Sequence, residues 1–522
     1  MSIQLLAFFF LFSLPAIFFF LFKAPSPANF KKKKKELSSL PMKALPKSYP
    51  LIGSYLEFIA NYDRRVQWLS DVIQISPANT YVFHRFLGQR IVLTGNPAVV
   101  QHILKTRFPV YQKGKSSRET LTDFLGNGIF NTDGDTWKFQ RQVASHIFNT
   151  RSLRKFVEQV VDTELNDRLI PILATAAAQN QILDFQDILQ RFAFDNICKI
   201  AFGFDPEYLS PSLGQSKFAL AFDAATEISS GRASYIHPLI WRIQKLLDIG
   251  SEKRLRLAIS EVRDFAKNIV RDKKRQLAEG ASLESADLLS RFLSSGHSDE
   301  DFVTDIVISF ILAGKDTTSA ALTWFFWLIW KHPEVGKKIM KEASEKSEAP
   351  VYDEVKDMAY THAALSESMR LYPPVPLDGK EVVADDVLPD GTIVKKGMRL
   401  TYHVYAMGRM ETLWGSDWAE YKPERWLERE GSSGDSEKWR YVTRDPFSYP
   451  VFQAGPRVCL GKEMAYLQMK RVVGAILTRF TVVPSMPEGT EPQFVSFLTS
   501  KMKGGFPVKI HSSPESGFHV CN

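Results

Sequence analysis

Cys459 is the residue best placed to do chemistry. It lies in Phe452-Gln-Ala-Gly-Pro-Arg-Val-Cys-Leu-Gly461, between two glycines and two residues after Arg457. Glycine opens backbone angles closed to other residues and lets the chain approach a flat ligand. A thiolate binds soft or borderline metals, and a guanidinium pairs with anions. Taken alone, a cysteine in such a turn is more often an inert buried thiol. The chain has three cysteines, the others being Cys198 and Cys521. Their number and separation give neither a disulfide framework nor a zinc spacing, which points to a reducing compartment. Cys521 is the penultimate residue and does not fit a prenylation box.

A second group is Ala313-Gly-Lys-Asp-Thr-Thr318, set inside an apolar run from Phe302 to Trp330. Such a run can be a core helix or a second membrane span. Lys315, Asp316 and the hydroxyls argue for the core, because charges at mid-bilayer are costly. Gly314 is expected to leave room beside the helix for a small ligand, and Thr317 and Asp316 are able to relay protons. Two further pairs have helical spacing. Glu367 and Arg370 are three apart on a helix that should stop before Pro373-Pro374. Trp137 and Arg141 are four apart, so both donors share a face. Alone, the first is most often a surface ion pair and the second plain packing.

The elements that position these groups are legible in outline. Periodicity predicts helices over 152–175 and 252–279. Turn chemistry at Asp386-Val-Leu-Pro-Asp-Gly391 sits between β-prone runs over 380–402. A mainly α domain with small β-sheets is expected over residues 51–522, with Gly431 to Gly434 as a surface loop. Upstream, Leu5 to Phe22 is uncharged. As a helix it would be ~27 Å long, near the lower limit for a bilayer span. A cleaved signal peptide is the alternative, but no basic stretch precedes the run. Residues 1–23 are therefore expected to be a transmembrane anchor and residues 24–50 a basic, proline-marked linker. Lys23 and Lys31 to Lys35 then place the downstream body in the cytosol. The net charge of +8, partly from that run, suits anionic lipid or an acidic partner surface, with no nucleic-acid recognition motif.

Together the motifs resemble those of the cytochrome P450 family. The cysteine loop matches its FxxGxRxCxG pattern, residues 313–317 its (A/G)Gx(D/E)T helix, and Glu367 to Arg370 its ExxR helix. Pro423-Glu-Arg425-Trp426 resembles its PERF-type segment, and Trp137 to Arg141 its WxxxR element. The resemblance implies the cytochrome P450 fold and haem b, with Cys459 as iron ligand. It implies Trp137, Arg141, Arg457 and Lys380 near the haem propionates, and a structural network of Glu367, Arg370 and Arg425. A thiolate ligand favours heterolytic O–O cleavage. The implied reaction is monooxygenation by O2, with Thr317 and Asp316 as the distal proton relay. No flavin or dinucleotide fingerprint is present, so electrons from NADPH would arrive through NADPH–cytochrome reductase. Lys138, Lys470 and Arg471 are expected on the reductase-docking face.

Longer stretches narrow the resemblance to plant fatty-acid ω-hydroxylases, among them Tyr402 to Met410 and Asp305 to Asp316. That branch also contains hydroxylases of jasmonate–amino-acid conjugates. The implied substrate is a medium- or long-chain fatty acid hydroxylated at its terminal carbon. By family position the pocket is expected near Phe310, Ala313, Val375, Pro376, Leu377, Phe497 and Leu498. Lys113 to Arg118 can either meet a carboxylate or form a solvated loop. A haem-thiolate isomerase or dehydratase, and a haem sensor, are the competing classes. Ala313-Gly314 and Asp316-Thr317 favour oxygen activation over both. The implied location is the endoplasmic reticulum membrane, spanned once.

Overall fold

The computed structural model describes residues 45–148, 158–212, 214, 216–279, 287–294, 299–347, 352–429, 439–487 and 489–513. The anchor, most of the linker, the 431–434 loop, the start of the 152–175 helix and Cys521 lie outside them.

A helix is forced to the centre when it is apolar all round. That is the condition of Glu300–Lys331, whose Asp299 N-cap side chain accepts from the Asp301 amide. From Val303 to Ile329 every residue is buried except Ala313, Gly314 and Thr317. It is apolar and long enough to cross a membrane, but 83% of its apolar window is buried in protein, so it is a core helix. The helices around the site are α1 (Gly114–Leu125), α2 (Gly134–Phe148), α3 (Phe185–Phe202), α4 (Lys217–Gly231), α5 (Leu239–Leu246), α6 (Gly250–Ala278), α7 (Glu300–Lys331), α8 (Ala359–Leu371) and α9 (Lys462–Leu477). The 252–279 expectation is met by α6. Residues 158–178 are helical as expected, with one wider turn at Glu164–Leu169.

The closest helix packing is α3 on α7, and it explains Gly314. A Cβ at that position would lie 2.5 Å from the Ile197 side chain of α3. Gly314 therefore serves helix–helix approach, the space of its missing Cβ being taken by Ile197 rather than left free. The surface left open on α7 belongs to Ala313 and Thr317, four residues apart and on one face.

The main sheet has the order β1-β2-β5-β4-β3, with β1 Thr80–His84, β2 Arg90–Thr94, β3 Tyr111–Gln112, β4 Asp378–Val382 and β5 Arg399–Tyr402. β2 and β5 run parallel, pairing Val92 with Leu400. β4 and β5 are antiparallel, pairing Asp378 with Tyr402 and Glu381 with Arg399. Its inner residues Val92, Val382, Leu400 and Tyr402 form one apolar cluster beneath the cysteine loop, with Ala454 among them. A hairpin, Phe494–Ser496 with Ser500–Met502, reaches the chain after α8 through the Ser500 amide, which donates to the Pro374 carbonyl at 2.7 Å. Mainly helical architecture with small sheets is what the sequence leads one to expect.

Candidate active site

The cysteine loop is fixed by backbone first. The Cys459 amide donates to the Phe452 carbonyl at 2.8 Å, and Val458 to Gly455 at 3.1 Å. Gly455 has φ +66, and a Cβ there would sit 2.1 Å from the Leu104 carbonyl oxygen, so no other residue fits. Gln453 takes φ +62, a costly region for a residue with a side chain. Its amide is over-determined: Nε2 donates to Asp378 at 2.8 Å, and Oε1 accepts from the Tyr402 hydroxyl.

Cys459 keeps accessible surface although protein surrounds it. Burial pushes its thiol up, while the Gly461 N–H and the cations Arg141 and Lys462 act in the opposite sense. Three residues on, α9 begins, and its N-terminal end favours a thiolate beside it. Cys198, by contrast, is wholly buried on α3, and burial raises its thiol well above the ordinary value. It is a core residue.

Around the loop the predicted donors converge. The Arg457 guanidinium lies 4.4 Å from the Trp137 ring centroid and donates to Asp133 and to the Thr132 carbonyl, both at 2.8 Å. Arg141 is half-buried, with no hydrogen bond or ion pair among the described residues. Burial lowers its pKa, and a Cys459 thiolate opposes that. Lys380, on β4, is buried and bonds Asp378 at 2.9 Å. Burial lowers it to about 7, with Lys113 and Arg457 adding to the effect against Asp378. Asp378 also accepts from Lys113 at 2.8 Å. Burial resists its ionisation, but Lys113 and Lys380 hold it well below the usual carboxylate range.

These charges provide the test of a haem. Four cations, Arg141, Arg457, Lys380 and Lys113, face two carboxylates, Asp133 and Asp378. With Lys380 protonated the cluster carries an excess of two positive charges, and with Lys380 neutral an excess of one, either of which suits the acidic propionates of haem b. An open thiol beside it and the open Ala313–Thr317 face on α7 complete the fit. Asp133 and Asp378 are absent from the sequence analysis, and Tyr402 and Gln453 appear there only as members of longer stretches, without a role. Their signal is faint, because Asp133 and Asp378 also meet Arg457 and Lys113, 324 and 265 residues away, and only the Asp378–Lys380 alternation is local.

The expected structural network is present and larger than expected. Arg370 makes a double contact with Glu367, 2.8 Å for each N–H to oxygen. Arg425 Nε donates to Glu367 at 3.2 Å, Trp426 Nε1 at 2.9 Å and the Lys422 amide at 3.1 Å. Arg370 also donates to the Gly408, Trp418 and Glu420 carbonyls. Trp426 is the member with no role in the sequence reading; its position directly after Arg425 was the available clue.

On the distal side, Thr317 Oγ1 donates to the Ala313 carbonyl at 2.5 Å. Asp316 is buried, accepts from Lys315 at 2.8 Å and has its Oδ2 unbonded. Lys315 is buried too, reaching Asp223 on α4 at 3.3 Å. Burial opposes its charge, but Asp316 and Asp223 hold its pKa above the ordinary value. Of the pocket residues, Val375 and Leu377 are half-buried and Pro376 buried. Phe497 and Leu498 cap the hairpin that Ser500 ties to Pro374. Leu498 packs on the cluster that holds Phe310.

Two expectations are corrected. Lys470 and Arg471 do not form a docking face. Both are buried on α9, Lys470 donating to the Val355 and Lys356 carbonyls at 3.0 Å and Arg471 pairing with Asp162 and Glu158. Lysine and arginine on a helix packed by two apolar sides are drawn inside when carbonyls and carboxylates receive them. Lys138 stays exposed, beside Asp135. Lys113 to Arg118 is not a loop: Lys113 is held by Asp378, and α1 starts at Gly114.

Fold and site define a haem-thiolate protein. The cytochrome P450 family profile matches residues 44–507. Cytochrome P450 94A1 of Vicia sativa is 67% identical over 466 residues, 89% of this chain and 90% of that protein. Cytochrome P450 94A2 of the same plant is 60% identical over 498 residues, 95% and 96% of the two chains. Cytochrome P450 94B1 of Arabidopsis thaliana is 48% identical over 467 residues, 89% and 91%. The chain belongs to the cytochrome P450 family. It is a haem-thiolate monooxygenase fed by a reductase.

The buried network yields a prediction. Glu367→Gln keeps the shape but removes the charge facing two buried guanidiniums, and should cost about 3–5 kcal/mol. Trp426→Phe deletes one donor and should cost about 1 kcal/mol. Thermal unfolding monitored through the haem Soret band measures both; equal, small shifts would show that the network does not carry the proximal side.

Proposed function

We propose that the enzyme hydroxylates the terminal carbon of medium- and long-chain fatty acids. When bound, the Cys459-ligated haem supplies oxygen activation and oxygen insertion into a C–H bond. The chain's own residues hold that group and the substrate. Arg141, Arg457, Lys380 and Trp137 hold the propionate side. Ala313 and Thr317 form the open distal face.

Thr317 and Asp316 move protons. Asp223, Lys315 and Asp316 form a line of bonded groups from a partly exposed carboxylate to the buried one beside Thr317. The unbonded Asp316 Oδ2 is an available acceptor at its inner end. Thr317→Ala should retain haem and substrate binding while diverting NADPH electrons into hydrogen peroxide. Product formed per NADPH consumed measures this; unchanged coupling would remove Thr317 from the relay.

The substrate reading rests on the resemblance to fatty-acid ω-hydroxylases, and the apolar residues it names suit an acyl chain: Val375 and Leu377 are half-buried after α8, Ser500 ties the Phe497–Leu498 turn to Pro374, and Leu498 packs on the cluster that holds Phe310. A terminal methyl has a stronger C–H bond than the methylene beside it, so positioning must outweigh intrinsic reactivity. A narrow apolar passage at these residues would do so. The test incubates enzyme, reductase and NADPH with saturated and unsaturated fatty acids, and with jasmonoyl-isoleucine alongside. Terminal alcohols should dominate; mainly in-chain alcohols would defeat the regiochemistry. Preference for the conjugate would replace the substrate.

In this proposal the enzyme sits on the cytosolic face of the endoplasmic reticulum, with residues 1–23 as its single membrane span. Supporting membrane contact, α5 presents Leu239, Ile243 and Leu246 on one face, with Leu247 following, and Leu246 is 84% exposed. N-terminal sequencing of membrane-extracted protein should read from the first residues. A mature start near residue 25 would eliminate the anchor.

A further inference from the structure

A cleft of about 660 Å³ opens beside α5, between the sheet edge and α1, away from the cysteine loop. Its walls carry eight basic side chains and two carboxylates. Three of the cations are neutralised locally: Arg232 by Glu252 and Asp123, Arg242 by Glu119, and Lys395 by Asp385. The other five, Arg85, Arg90, Lys115, Lys396 and Arg399, have no ion pair among the described residues. Against them stands Glu381, which accepts from the Ser116 amide at 3.0 Å. It pairs in register with Arg399 across β4 and β5 without closing a salt bridge. Five cations less one carboxylate leave four positive charges.

One of these groups is held in place and another is left unsatisfied. Arg85 donates to the Tyr235 carbonyl at 2.6 Å and the Ala233 carbonyl at 3.3 Å, fastening the α4–α5 connection over the cleft. Arg399 has its Nε buried without a hydrogen-bond partner. Burial lowers Arg85 to about 10, and the neighbouring Arg399 adds to this. Like charges set side by side and partly desolvated are costly unless an anion joins them. The rest of the wall is apolar, including Ile91, Met398 and Trp241. The cleft adjoins the exposed apolar face of α5, where an amphiphile would arrive from a membrane. Leu377, the residue before β4, and Glu381 on it are four residues apart, ~13 Å along an extended chain.

We propose that this cleft seats the carboxylate of an acyl-chain substrate, holding the acid end while the chain runs inward beside β4 toward Leu377 and Val375. The assignment rests on the fatty-acid reading and adds to it the group that fixes the far end. With the carboxylate held at the mouth and the methyl at the haem, chain length sets which acids are presented by their terminal carbon.

The test compares a fatty acid with its methyl ester, which keeps the chain and removes the charge. Wild type, Arg399→Gln and the exposed double variant Arg90→Gln/Lys396→Gln are assayed with reductase, after equal carbonyl-band amplitudes show equal folding. Losing a charge-assisted contact should raise KM for the acid about tenfold. KM for the ester should be unchanged, and the in-chain share of product from the acid should rise. Equal changes for acid and ester, or none, overturn the proposal. Weakened binding to phosphatidic acid vesicles with an unchanged acid-to-ester ratio assigns the cleft to lipid phosphate and also overturns it. Wild type that hydroxylates neither acid nor ester refutes the fatty-acid reading itself, a pattern no cleft variant produces.

Discussion

One carboxylate organises the proximal half of the molecule. Glu367, fully buried on α8, accepts from Arg370, Arg425, Trp426 and the Lys422 amide. A buried charge is tolerated only when such donors replace water. The donors come from two segments more than fifty residues apart, so satisfying the charge closes the fold. Trp426 then packs at 4.6 Å on Tyr449, whose hydroxyl donates to the Ser366 carbonyl at 2.9 Å. Tyr449 opens the stretch that leads into the cysteine loop. The network therefore reaches Cys459 through one ring contact and one hydrogen bond.

A second balance works at the propionate side. Asp378 and Asp133 neutralise part of a cationic cluster and leave an excess that suits two acid groups. Full neutralisation would remove the attraction for the haem, and no neutralisation would make the apoprotein strained by repulsion. The basic cleft beside α5 follows the same logic at the other end of β4. Neighbouring residues on that strand point to opposite faces, so Lys380 serves the haem side and Glu381 the cleft.

The distal helix shows how one motif divides its labour. Ala313 and Thr317 face the open side, Gly314 meets Ile197, and Lys315 and Asp316 turn toward α4. A helix spaces adjacent residues by about 100°, so five consecutive positions cannot all face one side. The motif reads as one unit in sequence and acts on three sides in space.

The sequence by itself determined the elements whose signals are local: the apolar run of α7, the turn chemistry between β4 and β5, and the glycine-flanked cysteine. It also determined the family, because five motifs stand in order along one chain. Burial, however, depends on what packs opposite, and no spacing reports that. Lys470 and Arg471 look like surface charges until α9 is seen to be enclosed, and Gly314 looks like space for oxygen until Ile197 fills it. Asp378, Asp133 and Gln453 gain their roles only from partners brought near by folding. The tertiary structure decided which charges are balanced and which are left to bind, since electrostatic partnership is set by distance in space, while the sequence fixes only distance along the chain.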